Sequence, residues 1–142
     1  MKIYLDTSAI IKRYVEEEGT NEVDKYFEKS YKNDIVLVFS HFNIGECAVV
    51  FDKYERKGMI NAKETFKTMI NELYVLAKLG NLILVPVSYD IIKTSVEYIF
   101  KFHIYIADAI QLASFKKENC DKFLTFDEKL KKVLQKFMSK KS

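Results

Sequence analysis

Only one proline and four glycines interrupt the 142 residues. So few breakers imply long regular elements joined by short loops. Cysteine is equally scarce. Cys47 and Cys120 stand far apart and form no CxxC pair, so neither a zinc site nor a disulfide framework is indicated. No long hydrophobic run is present, and the apolar stretch 82–87 is far too short to cross a bilayer. Met1 leads directly into a strand-like stretch with no cleavable leader visible. These absences predict a soluble, cytoplasmic chain with no membrane association. Charge of one sign is also scant, at a net +3. Most of that bias comes from Lys129, Lys131, Lys132, Lys136, Lys140 and Lys141, a run that suits a solvated helix face as well as a polyanion site.

What the chain does contain is apolar bulk, with 49% hydrophobic residues, 11 Phe and 9 Tyr. That composition excludes disorder, and the length suits one domain spanning 1–142. Apolar runs at 3–5, 35–39, 82–87 and 122–125 read as strands. Helical spacing fills the intervals at 8–17, 21–31, 43–57, 61–79, 90–102, 106–117 and 128–137. Within 61–79 the expected inward stripe is Phe66, Met69, Ile70, Leu73, Leu76 and Ala77. Thr7 or Ser8 is available to cap the first helix, and Asn61 with Glu64 forms a candidate capping box. Strands alternating with helices predict an α/β protein built round a parallel sheet of four or five strands, layered α/β/α.

Ligands of open parallel sheets gather beyond the carboxyl ends of the strands. Asp6 ends the first strand, Ser40 the second, and Thr125 the last, with Asp127 just beyond; Glu46 and Asp108 open helices that face the same edge. Asp108 is the one charged residue in the segment 104–115, where an uncompensated carboxylate costs several kcal/mol. Glu46 falls away from an expected Ile44/Ala48/Phe51 stripe and shares its side with Asn43, while Gly45 suggests a close approach of backbone or ligand. Each acid also has an ordinary reading. Asp6 and Asp127 suit helix caps, Asp108 its own helix N-terminus, and Glu46 an ion pair. Together, however, the carboxylates would repel one another without a cation, and oxygen-only ligands suit Mg²⁺ or Mn²⁺. Lys12 and Arg13 are candidates for phosphate contacts or simply solvated helix charges. His41 and His103 also lie near that edge; a lone histidine beside aromatic residues is more often structural.

Asp6-Thr7-Ser8-Ala9 after an N-terminal strand, Glu46 after Ser40, Asp108-Ala-Ile-Gln-Leu-Ala113, and Thr125-Phe126-Asp127 resemble the four acidic motifs of PIN domains. Their order and spacing are similar to those of VapC-type toxins of prokaryotic toxin–antitoxin pairs. The resemblance spans essentially the whole chain. It implies an endoribonuclease with one or two Mg²⁺ or Mn²⁺ ions on Asp6, Glu46, Asp108 and Asp127. It also implies that Thr7, Ser8, Ser40 and Thr125 orient those acids or touch the phosphate. A cognate antitoxin and a homodimer are further implied, with Tyr14, Phe51, Tyr54, Phe66 and Tyr74 as candidate apolar surface. The segment His41-Phe-Asn-Ile-Gly45 departs from the small or hydroxyl-bearing residues usual before the second acid. Asp121 is an alternative fourth acid, expected at the opposite sheet edge. A catalytically silent RNA- or protein-binding module is the alternative function, and DNA a possible further substrate. An aspartyl-phosphate phosphatase is disfavoured, because Ser8 stands where that chemistry wants a second Asp.

Overall fold

The strands pair where apolar, β-branched or aromatic runs are flanked by turns, and every pairing is parallel. A computed structural model describes residues 1–139; Lys140 and Lys141 lie outside the described residues. In chain order the elements are β1 (Lys2–Leu5), α1 (Thr7–Tyr14), α2 (Thr20–Tyr31), β2 (Val36–Ser40), α3 (His41–Arg56) and α4 (Ala62–Lys78). They continue with β3 (Leu82–Val85), α5 (Tyr89–Phe102), α6 (Ile106–Lys117), β4 (Lys122–Leu124) and α7 (Glu128–Ser139). The sheet has four strands in the order β3-β2-β1-β4. Its register sets Tyr4 beside Val38 on one side and Phe123 on the other.

Successive strands step one way from β1 to β3, and the chain then returns to place β4 on the free side of β1. Such a reversal opens a crevice at the carboxyl edge. Helices α1 to α4 contact one another and the β1, β2 and β3 strands, whereas α5 pairs with α6. The α6 face of the sheet carries an aromatic cluster. Tyr4 stacks on Phe123 at 4.8 Å and meets Phe115 edge-on at 6.5 Å. Phe137 of α7 then packs against Phe115 and Tyr98. The result is the expected α/β/α layering, and among the described residues no helix is long and apolar enough to cross a membrane.

Several local expectations needed correction. The first helix is capped by Asp6, whose side chain accepts from the Ala9 amide, and not by Thr7 or Ser8. In α3 the buried stripe is Asn43, Cys47 and Phe51, while Ala48 is exposed. Gly45 faces open space, so no close approach explains it. Ile70 and Ala77 of α4 are exposed, and half-buried Glu72 turns inward in their place. Of the aromatic residues expected to supply a dimer surface, Phe51 is fully buried, Tyr14, Tyr54 and Phe66 are partly buried, and Tyr74 alone is exposed. Lys129, Lys131, Lys132 and Lys136 do lie exposed on α7.

Glu72 explains why a charge replaces an aliphatic side chain in that interface. Its two oxygens accept from Arg13 Nε and Nη2, each at 2.9 Å, in a bidentate pair. Tyr14 and Tyr31 hydroxyls also donate to it, and Arg13 Nη1 reaches Asp24 at 2.8 Å. Arg13 is thus committed to joining α1, α2 and α4, and its phosphate-contact candidacy lapses. Burial alone would raise the Glu72 carboxyl, but the bonds from Arg13, Tyr31 and Tyr14 outweigh it and hold the group below its usual range. A depressed carboxyl adds stability above its ordinary range, and that stability fades as acid protonates it. Glu72→Gln is therefore expected to cost about 2 kcal/mol near neutral pH, between the values of exposed and buried pairs. The deficit in urea melts should shrink as pH falls. A loss no larger than about 0.5 kcal/mol, as for an ordinary surface change, would show the network to be idle.

Candidate functional site

Asp6 leaves β1 with its carboxylate turned back over the start of α1. Oδ1 accepts from the Ala9 amide at 3.0 Å and from the Ser8 hydroxyl at 2.6 Å, while Oδ2 accepts from the Thr125 hydroxyl. The helix-cap reading of Asp6 is therefore realised, and the two hydroxyls hold the same carboxylate in place. Thr125 Oγ1 in turn accepts from the Asp127 amide at 3.0 Å, and Ser8 Oγ accepts from the Phe126 amide at 2.9 Å. These bonds lace the loop after β4 to the first turn of α1. Asp127 caps α7 through Oδ1, which takes the amides of Lys129 and Leu130.

On the other side of Asp6, Thr7 donates to Glu46 Oε1 at 2.6 Å. That hydroxyl is itself held by Asn43, a residue not singled out as a site candidate from sequence. Asn43 Nδ2 donates to Thr7 Oγ1 at 3.0 Å and to Gln111 Oε1 at 2.9 Å. Its Oδ1 accepts from the Tyr4 hydroxyl at 2.7 Å and the Ser40 amide at 2.9 Å. The amide is fully buried and all four of its hydrogen-bonding positions are filled. Ser40 is likewise fully buried and caps α3 through the Phe42 amide, so it supports the edge from behind and does not face a substrate. The sequence signal for Asn43 was its place three residues after Ser40, which is the second half of a capping box.

Asp108 enters from α6, a helix otherwise buried continuously from Ala109 to Phe115. It is half-buried, and Tyr105 at the N-cap gives that helix no side-chain capping bond. Asp108 and Asp127 share a cleft of about 530 Å³ with His103, Tyr105, Lys129 and Lys132. Thr7 and Ser8 line a separate cleft of about 370 Å³ with Lys12, Lys53, Tyr54 and Phe126. There Lys12 is paired with Glu17 at 3.1 Å. Asp121 lies at the amino end of β1, accepting from the Lys2 amide at 2.8 Å, which removes it from the site.

Burial pushes up the Asp6, Glu46 and Asp108 carboxyls, and mutual repulsion adds to it. The charge on Asp127 acts on Asp6 and Asp108, and Glu46 feels Asp108 and Asp6. Hydrogen bonds from Ser8, Thr125 and Ala9 offset part of the rise at Asp6, as does the Thr7 bond at Glu46 and the Lys129 charge at Asp108. This edge therefore carries surplus negative charge on oxygen donors, which suits a hard divalent cation. Among the described residues, no three His, Cys, Asp or Glu side chains stand close enough together to hold an ion between them. Mg²⁺ usually keeps several waters and takes only one or two carboxylates, so an open set of acids fits it better than a closed cage would. Cys47 and Cys120 are both buried and form no disulfide among the described residues.

The family model described as PIN domain matches residues 3–135. The chain belongs to the PIN domain family. In structure this PIN protein is similar to VapC20 of Mycobacterium tuberculosis, described as a toxin that cleaves the sarcin-ricin loop. That likeness has a TM-score of 0.68 and covers 92% of this chain and 94% of the other at 12% identity, so it speaks for the fold. No curated protein matches the chain in a sequence comparison.

A carboxyl raised by folding contributes stability only below its ordinary range and loses it as pH climbs through the raised value. Asp108→Asn removes that penalty without breaking a hydrogen bond among the described residues. Its metal-free melting temperature is expected to exceed wild type near pH 7, at roughly 2–4 °C per kcal/mol relieved, and the gap should close near pH 4. A gap that is absent, or that widens in acid, would mean the acids do not repel one another. Asn43→Leu leaves the Gln111, Thr7, Tyr4 and Ser40 groups unpaired, and is expected to cost about 3 kcal/mol in thermal or urea unfolding.

Proposed function

We propose that this PIN protein is a metal-dependent endoribonuclease acting as the toxin of a toxin–antitoxin pair. The observation that carries the reading is the gathering of Asp6, Glu46, Asp108 and Asp127 from separate elements at one sheet edge, three of them with raised carboxyls. Family membership and the fold shared with VapC20 support it. In this reading the whole chain acts as one PIN domain in the cytoplasm, as a homodimer, until a cognate antitoxin occupies it.

Asp6, Glu46 and Asp108 would hold one or two Mg²⁺ or Mn²⁺ ions, with Asp127 completing the acidic edge. A bound divalent ion supplies positive charge against the negative charge that grows on the phosphoryl and leaving oxygens, and it lowers the pKa of water. The protein's part is orientation. Thr125 and Ser8 hold the Asp6 carboxylate from two sides, and Thr7, itself fixed by Asn43, aims Glu46. Pre-set carboxylates avoid reorganisation during the reaction, which is where such a site gains its rate. Neither His41 nor His103 is needed for proton transfer. The products would be a 5′-phosphate and a 3′-hydroxyl.

In this assignment Asp6→Asn and Asp108→Asn each reduce Mn²⁺-dependent RNA cleavage by at least about 100-fold while the circular dichroism melt stays cooperative. Native-rate cleavage by either variant sinks the site assignment. Matched DNA substrates in the same assay decide whether DNA is also cut. That no three of the acids are close enough to hold one ion between them, among the described residues, favours one other reading, a catalytically silent module that binds RNA or protein. A panel of structured and single-stranded RNAs left intact by the wild-type protein with Mn²⁺ would select it.

A further inference from the structure

The cleft shared by Asp108 and Asp127 has walls that metal binding does not explain. Its volume of about 530 Å³ lies within the usual range for a small-molecule site. Tyr105, on its rim, is 81% exposed. Among the described residues its ring joins no aromatic cluster and its hydroxyl makes no hydrogen bond. Although it occupies the N-cap of α6, its side chain does no capping. The backbone beneath it is nonetheless well anchored, between His103 in the left-handed region (φ 56°) and the most buried helix of the fold. A large exposed ring without a packing role is a surface for another flat ring.

The facing wall is basic. Lys129 and Lys132 of α7 line the cleft, and among the described residues neither ammonium lies within an ion pair. Two other lysines near this edge are already paired. Lys12 is held by Glu17 at 3.1 Å, and Lys131 by Glu128 at 3.2 Å. In the neighbouring cleft of Thr7 and Ser8, the Glu17 carboxylate also takes the Tyr54 hydroxyl, so the protein's own anion fills that position. Among the described residues, the Tyr105 cleft combines an exposed ring that has no aromatic partner with two lysines outside any ion pair. Of these, Lys129 also offsets the charge on Asp108.

We propose that this cleft is a nucleotide subsite, taking one unpaired base against Tyr105 and its phosphate against Lys129 and Lys132. It would fix the single-stranded segment next to the bond presented to the acids, a role that rests on the ribonuclease reading. Stacking on an exposed ring requires a splayed base, so the occupant is single-stranded RNA and not a duplex. Asp108 and Asp127 repel a phosphate in the same cleft. Divalent ions should therefore strengthen binding there even without turnover.

The test uses the Asp6→Asn protein, whose altered residue lies outside this cleft, with Mg²⁺ and a short fluorescent oligouridylate. Adding Tyr105→Ala should weaken binding about tenfold, while Tyr105→Phe should bind like the parent. Adding Lys132→Gln should lower the slope of log affinity against log salt by about 0.7. Binding of a duplex RNA of matched length should not respond to Tyr105→Ala. An unchanged affinity in Tyr105→Ala, an equal loss in Tyr105→Phe, an equal loss on duplex, or no oligouridylate binding would each overturn the subsite. Wild-type cleavage with Mn²⁺ is scored separately. Cleavage with Tyr105-independent binding rejects the subsite alone, and Tyr105-dependent binding without cleavage rejects the nuclease reading alone.

Discussion

One buried amide holds the acidic edge together. Asn43 reaches β1 through Tyr4, the α1 start through Thr7, the end of β2 through Ser40, and α6 through Gln111. A primary amide offers two donors and an acceptor with two lone pairs, and here each is used once. In a low-dielectric interior such a network is stringent, because any shift of one element leaves a polar group unpaired. The elements bearing Asp6, Glu46 and Asp108 are thus tied to a common point, and Thr7 passes that constraint to Glu46. Acids that repel one another need such a frame, since electrostatics alone would spread them.

The same division of labour recurs around Asp6. Its oxygens cap a helix and receive two hydroxyls, so interactions that stabilise the fold also orient the group proposed to hold an ion. Reading Asp6 or Asp127 as either a helix cap or a site residue poses a choice that the geometry does not require. Each carboxylate has two oxygens, and Asp127 spends one of them on the amides at the start of α7. Among the described residues Asp108 alone of the four makes no side-chain hydrogen bond, and it is the acid whose presence in an apolar helix has least conventional explanation.

Much of this was legible in the chain itself. The alternation of strands and helices and the position of α6 follow from periodicity, which local sequence carries directly. Asp108 stood out because a lone charge in an apolar segment contradicts that pattern. In α3, Ile44 and Ala48 have the right spacing for a core face, yet the helix turns Asn43 and Cys47 inward. Burying an asparagine is paid for only by partners at distant positions, and no local pattern announces those. The Arg13 cluster was hidden for the same reason, its partners lying 11 and 59 residues away. Strand order was equally non-local, since β4 pairs with β1 across nearly the whole described chain.

That last pairing bears on when the site comes into being. Leu124 accepts the Asp6 amide, Thr125 donates to the Asp6 carboxylate, and the Phe126 amide closes onto Ser8. Synthesis delivers the amino-terminal residues first. Nascent or truncated chains ending before β4 would have Asp6 exposed along an open strand edge, without its hydroxyl partner and without Asp127. The acidic edge is consequently a property of finished molecules. A ribosome still translating this message would carry, close to its own RNA, only an unassembled half of the candidate site.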